Sequence, residues 1–337
     1  AGDFAPRARL AQQIQERKFG DIFTEELQSI IKSADYSLVN FESPVIEDTF
    51  LPIKKCGPNL GCSENAVEAI KYAGFKCATL ANNHILDYGD AGLNKTVECC
   101  QKQEIDVVGV GANLCDAEKI LYTEENGKKL AIINCCEHEF SIASRTTAGA
   151  NPLNPIAQFY KIKEAKQNAD FVLVVVHGGH EHFQLPSMRM QETYRFFVDV
   201  GADAVVNHHQ HCYSGYELYK GKPIFYGLGN FCFDWEGIPK KMWTEGYFVE
   251  IKFDKEISFN IYPYCQYVEV ARVNLLPPNS FTDTLENLNS IIKDKERLKE
   301  SVETYYKNSM KSVELSLEPI CNRYVKGLQF RGFLPRM

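Results

Sequence analysis

Carboxylate, amide and imidazole side chains occur in this chain in short groups, each placed directly after an apolar run. Glu42 follows Tyr36–Phe41, Asn82-Asn83-His84 follow Lys76–Ala81, His177 follows Phe171–Val176, and His208-His209-Gln210-His211 follow Ala202–Val206. Asp3 stands where a removed or very short first strand would end. If the apolar runs are strands of one α/β unit, five segments deliver oxygen and nitrogen donors to the carboxyl edge, where such sheets bind ligands. Imidazole nitrogens suit Zn, Fe, Ni and Cu, and carboxylate and amide oxygens suit Mn and Mg as well. No thiolate belongs to the set and no CxxC occurs, which argues against a closed structural zinc site. With this many donors, two divalent ions about 3.5–4 Å apart, bridged by one carboxylate and a hydroxide, are expected.

The elements that must position these groups read as alternating strand and helix. Apolar Ile22, Phe23, Leu27, Ile30 and Ile31 share one face of a helix over Ile22–Ser33 that precedes the strand Tyr36–Phe41. Ser63–Ala73 reads as a helix with Ser63 as N-cap and Gly74 as its stop. Strand Lys76–Ala81, helix Ala91–Gln103, a short strand Asp106–Val110, strand Lys129–Cys135, helix Pro155–Asn168, strand Phe171–Val176, helix Ser187–Val200 and strand Ala202–Val206 follow. Pro223–Tyr226 is a late strand, and Tyr247–Phe253 with Phe259–Tyr264 reads as an antiparallel pair. This order implies an α/β core that is largely parallel at first. From about Asn279 the pattern changes to a charged amphipathic helix, Leu285–Tyr306, and a further helix over Lys311–Tyr324. The expected division is residues 1–278 for the α/β domain and 279–337 for a C-terminal helical extension, which serves packing or oligomerisation and carries no catalytic cluster.

The 337 residues suffice for a deep core. The net charge of −7 is spread along the chain, and no Lys/Arg run is dense enough for a nucleic-acid or membrane-surface partner. The longest apolar run, Phe171–Val176, is far too short to cross a bilayer. Twelve cysteines include the adjacent pairs Cys99-Cys100 and Cys135-Cys136, a spacing that suits free buried thiols in a reducing cytoplasm better than a disulfide framework.

The ordered set AGD (1–3), NFE (40–42), LANNHILDYG (80–89), HGGHEH (177–182), NHHQH (207–211) and YGLGNF (226–231) resembles the CapA-type capsule-synthesis family, named for poly-γ-glutamate capsule proteins, within the calcineurin-like metallophosphoesterase superfamily. The resemblance spans roughly residues 1–265. It implies a layered α/β/β/α sandwich with the helical extension appended. It also implies a role for each group: Asp3 as the ligand of the first motif, Glu42 as the carboxylate bridging two metals, Asn83 as an amide ligand with His84 the catalytic histidine beside it, His177 as a further ligand, and His209 and His211 as the closing pair, one to each metal. Gly229-Asn230-Phe231 would shape the site wall. The chain departs from the family in three places: the Asp-x-His of the wider superfamily is Asp3-Phe4-Ala5, Asn207 replaces the usual glycine before the closing histidines, and Gly178 stands where many relatives carry tryptophan, which implies a roomier pocket.

Other roles compete at single positions. On an extended segment His209 and His211, two apart, share one face while His208 points away. Asp87 either accepts the ring N–H of His84 or caps a helix. Lys55, His180, Glu181, His182 and Asn230 are candidates for substrate contact; Lys54 and Arg189 could also bind an anionic substrate, and for all three basic residues solvated surface charge is the stronger competing reading. The expected function is a metal-dependent hydrolase linked to capsule or poly-γ-glutamate synthesis, using two divalent ions (Mn, Zn, Fe or Mg) on a phosphoester or a γ-glutamyl amide. Its partner would be a small anionic substrate or a γ-glutamyl polymer, with a homo-oligomer through the C-terminal helices possible. The alternative is a non-catalytic accessory protein for capsule or exopolymer assembly. Metal sensing or storage is disfavoured, because Asn83 with His84 beside it suits an open site.

Overall fold

A computed structural model describes residues 1–235, 241–266 and 271–309. Its first sheet takes β1 (Asp3–Phe4), β2 (Leu38–Phe41), β3 (Cys77–Thr79) and β4 (Asp106–Val108), with β13 (Asn230–Cys232) added beside β1. All its pairings are parallel. β5 (Val110–Gly111) pairs with β8 (Gly149–Ala150) in a separate two-stranded sheet. The second sheet runs β11-β12-β10-β9-β7-β6, from β6 (Leu121–Glu125), β7 (Lys128–Cys136), β9 (Phe171–His177), β10 (Ala204–His208), β11 (Tyr216–Tyr219) and β12 (Lys222–Phe225). β14 (Glu245–Lys252), β15 (Ser258–Gln266) and β16 (Val273–Leu275) form an antiparallel sheet that contains the expected hairpin.

The layers follow from the hydrophobic patterning. Leu10, Ile14, Leu27, Ile31, Val67 and Ile70 cover the outer face of the first sheet, and Ile162, Ala165, Tyr194 and Phe197 cover that of the second. The inner faces meet: Leu38, Asn40 and Thr79 from one sheet and Leu173, Val175 and Val206 from the other line a cavity of about 500 Å³. β9 is covered on both faces, which explains its unbroken run of apolar residues. The arrangement is therefore the expected α/β/β/α sandwich.

Several elements differ in detail from the pattern reading. The N-cap before the helix Asn65–Ala73 is Glu64 rather than Ser63, while Gly74 closes it in a left-handed conformation at φ +107°. The first strand is present but only two residues long, and it lies between two neighbours. A side chain on Gly2 would place its Cβ 1.9 Å from the Gly229 carbonyl oxygen, so glycine is required where the chain enters β1 beside β13. The C-terminal helix is two helices. Thr282–Lys293 ends at Asp294, whose Oδ1 accepts from the backbone N–H groups of Glu296 and Arg297 and starts a second helix over 295–309. Leu285, Leu288, Ile292, Leu298 and Val302 are buried in the core of the second sheet, so the apolar stripe of this segment packs on its own chain. The expected helix over 311–324 lies outside the described residues.

Candidate metal centre

Strand register brings the site together. Cys136 pairs with His177 and His177 pairs with His208, so three strands of the second sheet end level. In the first sheet Asp3 pairs with Asn40 and with Asn230, and the Glu42 N–H donates to the Phe4 carbonyl. Glu42, the 82–84 segment, His177 and the 208–211 loop thus leave both sheets at one edge. Asp3, Glu42, Asn83, His177, His209 and His211 are all buried.

Their donor atoms converge in two groups that share Glu42. In the first, His177 Nε2 lies 3.0 Å from Asn83 Oδ1, 3.1 Å from His209 Nδ1 and 3.4 Å from Glu42 Oε1. In the second, Asp3 Oδ2 lies 3.4 Å from His211 Nδ1, and His211 Nε2 lies 3.8 Å from Glu42 Oε1. Glu42–His177–His209 and Asp3–Glu42–His211 each offer one ligand atom per residue within 4.8 Å of one another. Both Glu42 carboxylate oxygens and Asp3 Oδ2 are buried without a hydrogen-bond partner. Isolated buried carboxylate oxygens are costly, and a divalent cation removes that cost, so the residues fit a metal.

Without an ion, the two groups differ electrostatically. Burial, reinforced by Asp3, pushes the Glu42 carboxyl up to about 7. Burial also opposes ionisation of Asp3, but His211 and His208 hold it well below the usual carboxylate range. Burial and the neighbouring His209 hold His177 far below its ordinary value, in the neutral form that a metal ligand needs. Burial opposes a charge on His211 too, yet Glu42 and Asp3 push it up to about 10.

A family model described as bacterial capsule synthesis protein PGA_cap matches residues 1–235. The chain belongs to this PGA_cap family. It is 36% identical over 234 residues to a Bacillus anthracis protein named capsule biosynthesis protein CapA, covering 67% of this chain and 57% of that one. It is 34% identical to the PGA biosynthesis protein CapA of Bacillus subtilis, covering 67% and 60%. The chain thus spans less than two thirds of the length of these relatives. A solved structure described as a novel phosphatase from Mycoplasma pneumoniae is similar over 81% of this chain and 88% of that chain, at 17% identity and a TM-score of 0.43.

Within this PGA_cap chain the other expected residues fall as follows. His84 Nδ1 lies 2.6 Å from Asp87 Oδ2, and Asp87 also accepts from the Leu60 N–H, so Asp87 orients His84 and caps no helix. Lys55 is buried: its side chain is 2% exposed, its ammonium pairs with Asp87, and it stands 3.1 Å from His84 Nδ1. Asn230 is likewise buried; its Oδ1 lies 2.9 Å from His211 Nδ1 and its Nδ2 donates to the His211 and Trp243 carbonyls. Lys55 and Asn230, expected as substrate contacts, thus stand buried against His84 and His211. His180, Glu181 and His182 lie on a rim loop. His182 sits over Trp243 at 5.7 Å between ring centroids, and His180 Nε2 meets Tyr306 Oη at 2.6 Å. The C-terminal segment, expected to serve packing or oligomerisation, thus also reaches the rim of the site.

Two further expectations change. His209 and His211 converge from left-handed backbone, at φ +89° and +54°, and not from an extended segment. Such conformations cost on the order of 1–3 kcal/mol for non-glycine residues and persist where the surroundings enforce them. The space beside Gly178 is not open, because a Cβ there would lie 3.2 Å from Glu137 Oε2. Asn207, in the usual glycine position, accepts from the Tyr194 hydroxyl and donates to the Gly178, His208 and Tyr226 carbonyls, tying the loops together. The sequence reading missed Asn40, whose Nδ2 bridges Asp3 Oδ1 at 2.7 Å and His177 Nδ1 at 3.2 Å. It also missed Glu137 and Glu139, directly after β7; with His209 they form a third group of closely spaced ligand atoms.

Proposed function

We propose that this chain is a hydrolase holding two divalent cations that share Glu42, acting on a phosphoester or a γ-glutamyl amide in capsule-polymer metabolism. The observation that carries this reading is the pair of orphaned Glu42 oxygens, buried where two groups of nitrogen and oxygen donors meet. Asp3, Glu42 and His211 would hold one ion, and Glu42, Asn83, His177 and His209 the other. The mixed donors suit Mn, Zn, Fe or Mg. When bound, such a pair supplies Lewis acidity toward the scissile group and lowers the pKa of water.

The chain's own residues supply the remaining work. Asp87 takes the Nδ1–H of His84, which leaves Nε2 to hold or deliver a proton at the leaving group. Lys55 neutralises Asp87 and keeps that carboxylate in place. The rim histidines His180 and His182 lie where an anionic substrate or a γ-glutamyl polymer would enter.

The test is metal analysis of purified protein after reconstitution with Mn²⁺ or Zn²⁺, followed by assay of phosphomonoesters, phosphodiesters and γ-glutamyl peptides. Two ions per chain with turnover on one class is expected; failure to take up metal would overturn the proposal. A relative from Mycobacterium tuberculosis, 28% identical, is named a probable polyglutamine synthesis accessory protein. Stoichiometric metal without turnover on any class would favour that second, accessory role.

A further inference from the structure

We propose that the loop Glu137–Glu139 orients the ligands of one half of the metal centre: Glu137 sets His209, and Glu139 sets Asn83. This inference rests on the two-cation reading. An imidazole presents its two nitrogens in opposite directions, so fixing one aims the other. His209 Nε2 lies 2.9 Å from Glu137 Oε1, which leaves Nδ1 directed at His177 Nε2 and Glu42. An amide is likewise two-ended. Asn83 Nδ2 donates to Glu139 Oε2 at 2.7 Å, which leaves Oδ1 facing His177 Nε2.

The loop is itself held. The Glu137 N–H donates to the His177 carbonyl, and Glu137 Oε2 accepts from the Gly179 N–H at 3.1 Å. Ser141 extends the clamp, donating to the Asn83 carbonyl at 2.8 Å and accepting from the Leu86 N–H. The absence of a side chain at Gly178 leaves the room that Glu137 occupies. The rival use of the same atoms is a third cation site, since Glu137, Glu139 and His209 offer ligand atoms within 4.8 Å. Against it, both carboxylates already have partners, Glu137 Oε2 in the Gly179 N–H and Glu139 Oε2 in Asn83 Nδ2, whereas the Glu42 oxygens have none.

The experiment titrates metal-stripped full-length protein with Mn²⁺ by calorimetry, for wild type, Glu137→Ala, Glu137→Gln and Glu139→Ala. Wild type should bind two ions. Glu137→Ala and Glu139→Ala should each weaken one of the two by about 10–100-fold, the range for loss of a group that orients a ligand, and leave the other unchanged. Glu137→Gln should recover most of the loss, because its amide oxygen still accepts from Nε2–H. A second readout needs no metal: ¹⁵N NMR of the histidine rings should show His209 in the Nε2–H form in wild type and in Glu137→Gln, and redistributed in Glu137→Ala. Wild-type affinities in Glu137→Ala, or a third wild-type ion that this variant loses, would overturn the proposal. If wild type bound no metal, the two-cation reading would fall, and an unaltered His209 ring in Glu137→Ala would still decide separately against Glu137.

Discussion

The two halves of the centre share Glu42 but are supported unequally. The His177 half has an outer layer of side chains: Glu137 behind His209, Glu139 behind Asn83 and Asn40 behind His177. The Asp3 half has Asn230 behind His211 and Asn40 against Asp3, and aromatic rings pack on His211, with Phe233 and Trp243 centroids 5.2 and 5.0 Å from that of His211. The buried imidazole of His208 also stands on this side, its Nδ1 3.5 Å from Asp3 Oδ1 and without a hydrogen-bond partner among the described residues. One half is thus preorganised by carboxylates and the other by amides and aromatic rings, with His208 in reserve. Preorganised ligands bind without paying to order themselves, and a carboxylate holds an imidazole or amide more firmly than a neutral group does, so the two ions of the proposed centre should differ in affinity, with Glu42 as the ligand they share.

Glu42→Gln is therefore the most damaging change expected. It should reduce turnover by at least about 10³-fold, since it removes the shared anchor of the metal chemistry, and bound metal should fall in parallel. One fully retained ion with substantial activity would refute the sharing. His84→Ala belongs to neither half. It should reduce turnover by about 10²–10⁴-fold, the usual worth of a proton-transfer group, with metal content by elemental analysis unchanged; loss of metal would move His84 into the ligand set.

The next effect is on stability. The side chains of Asp87 and Lys55 are 0% and 2% exposed, so Lys55→Ala strands a buried carboxylate. Breaking such a pair costs about 3–5 kcal/mol, which urea unfolding of the metal-free protein would register; a loss below about 1 kcal/mol would show that water reaches Asp87. A gentler test bears on the asymmetry itself. Stepwise dialysis against a chelator should release the Asp3-side ion first, at least about tenfold more readily, given that each orienting partner is worth about 10–100-fold. His211→Ala should abolish that step alone, and simultaneous release of both ions would erase the distinction.

Much of this centre was legible because β-strand burial leaves a plain mark. The run Phe171–Val176, short and rich in valine, reads as a strand covered on both sides, and the residue after such a strand lies at the ligand-binding edge. The same rule, followed past Lys129–Cys135, leads to Glu137 and Glu139, which carry as strong a positional signal as His177. The sequence could not reveal the left-handed backbone at His209 and His211, because non-glycine residues adopt it only when tertiary contacts impose it. Nor could it place Lys55 on Asp87 or Asn230 on His211, since pairings between distant segments leave no local periodicity. The tail is the same case: its apolar stripe showed that it packs, but nothing in residues 285–306 indicated that two tyrosines end at the rim.

Those tyrosines give the smallest expected effect and a boundary for the site. Tyr305 stacks on Phe183 at 4.4 Å between ring centroids and on His180 at 5.5 Å, and the Tyr306 hydroxyl meets His180 Nε2. Tyr306 is 45% exposed, so its hydrogen bond is worth only about 0.5–1.5 kcal/mol. Tyr306→Phe should therefore leave metal content and kcat unchanged and raise KM a few-fold, by freeing the His180 ring to move. The effect should grow with substrate length if the rim guides a polymer, and should be constant across lengths if it contacts only the reacting unit. An unchanged KM for every substrate would place the rim outside the substrate path and confine recognition to the strand-end groups around Glu42.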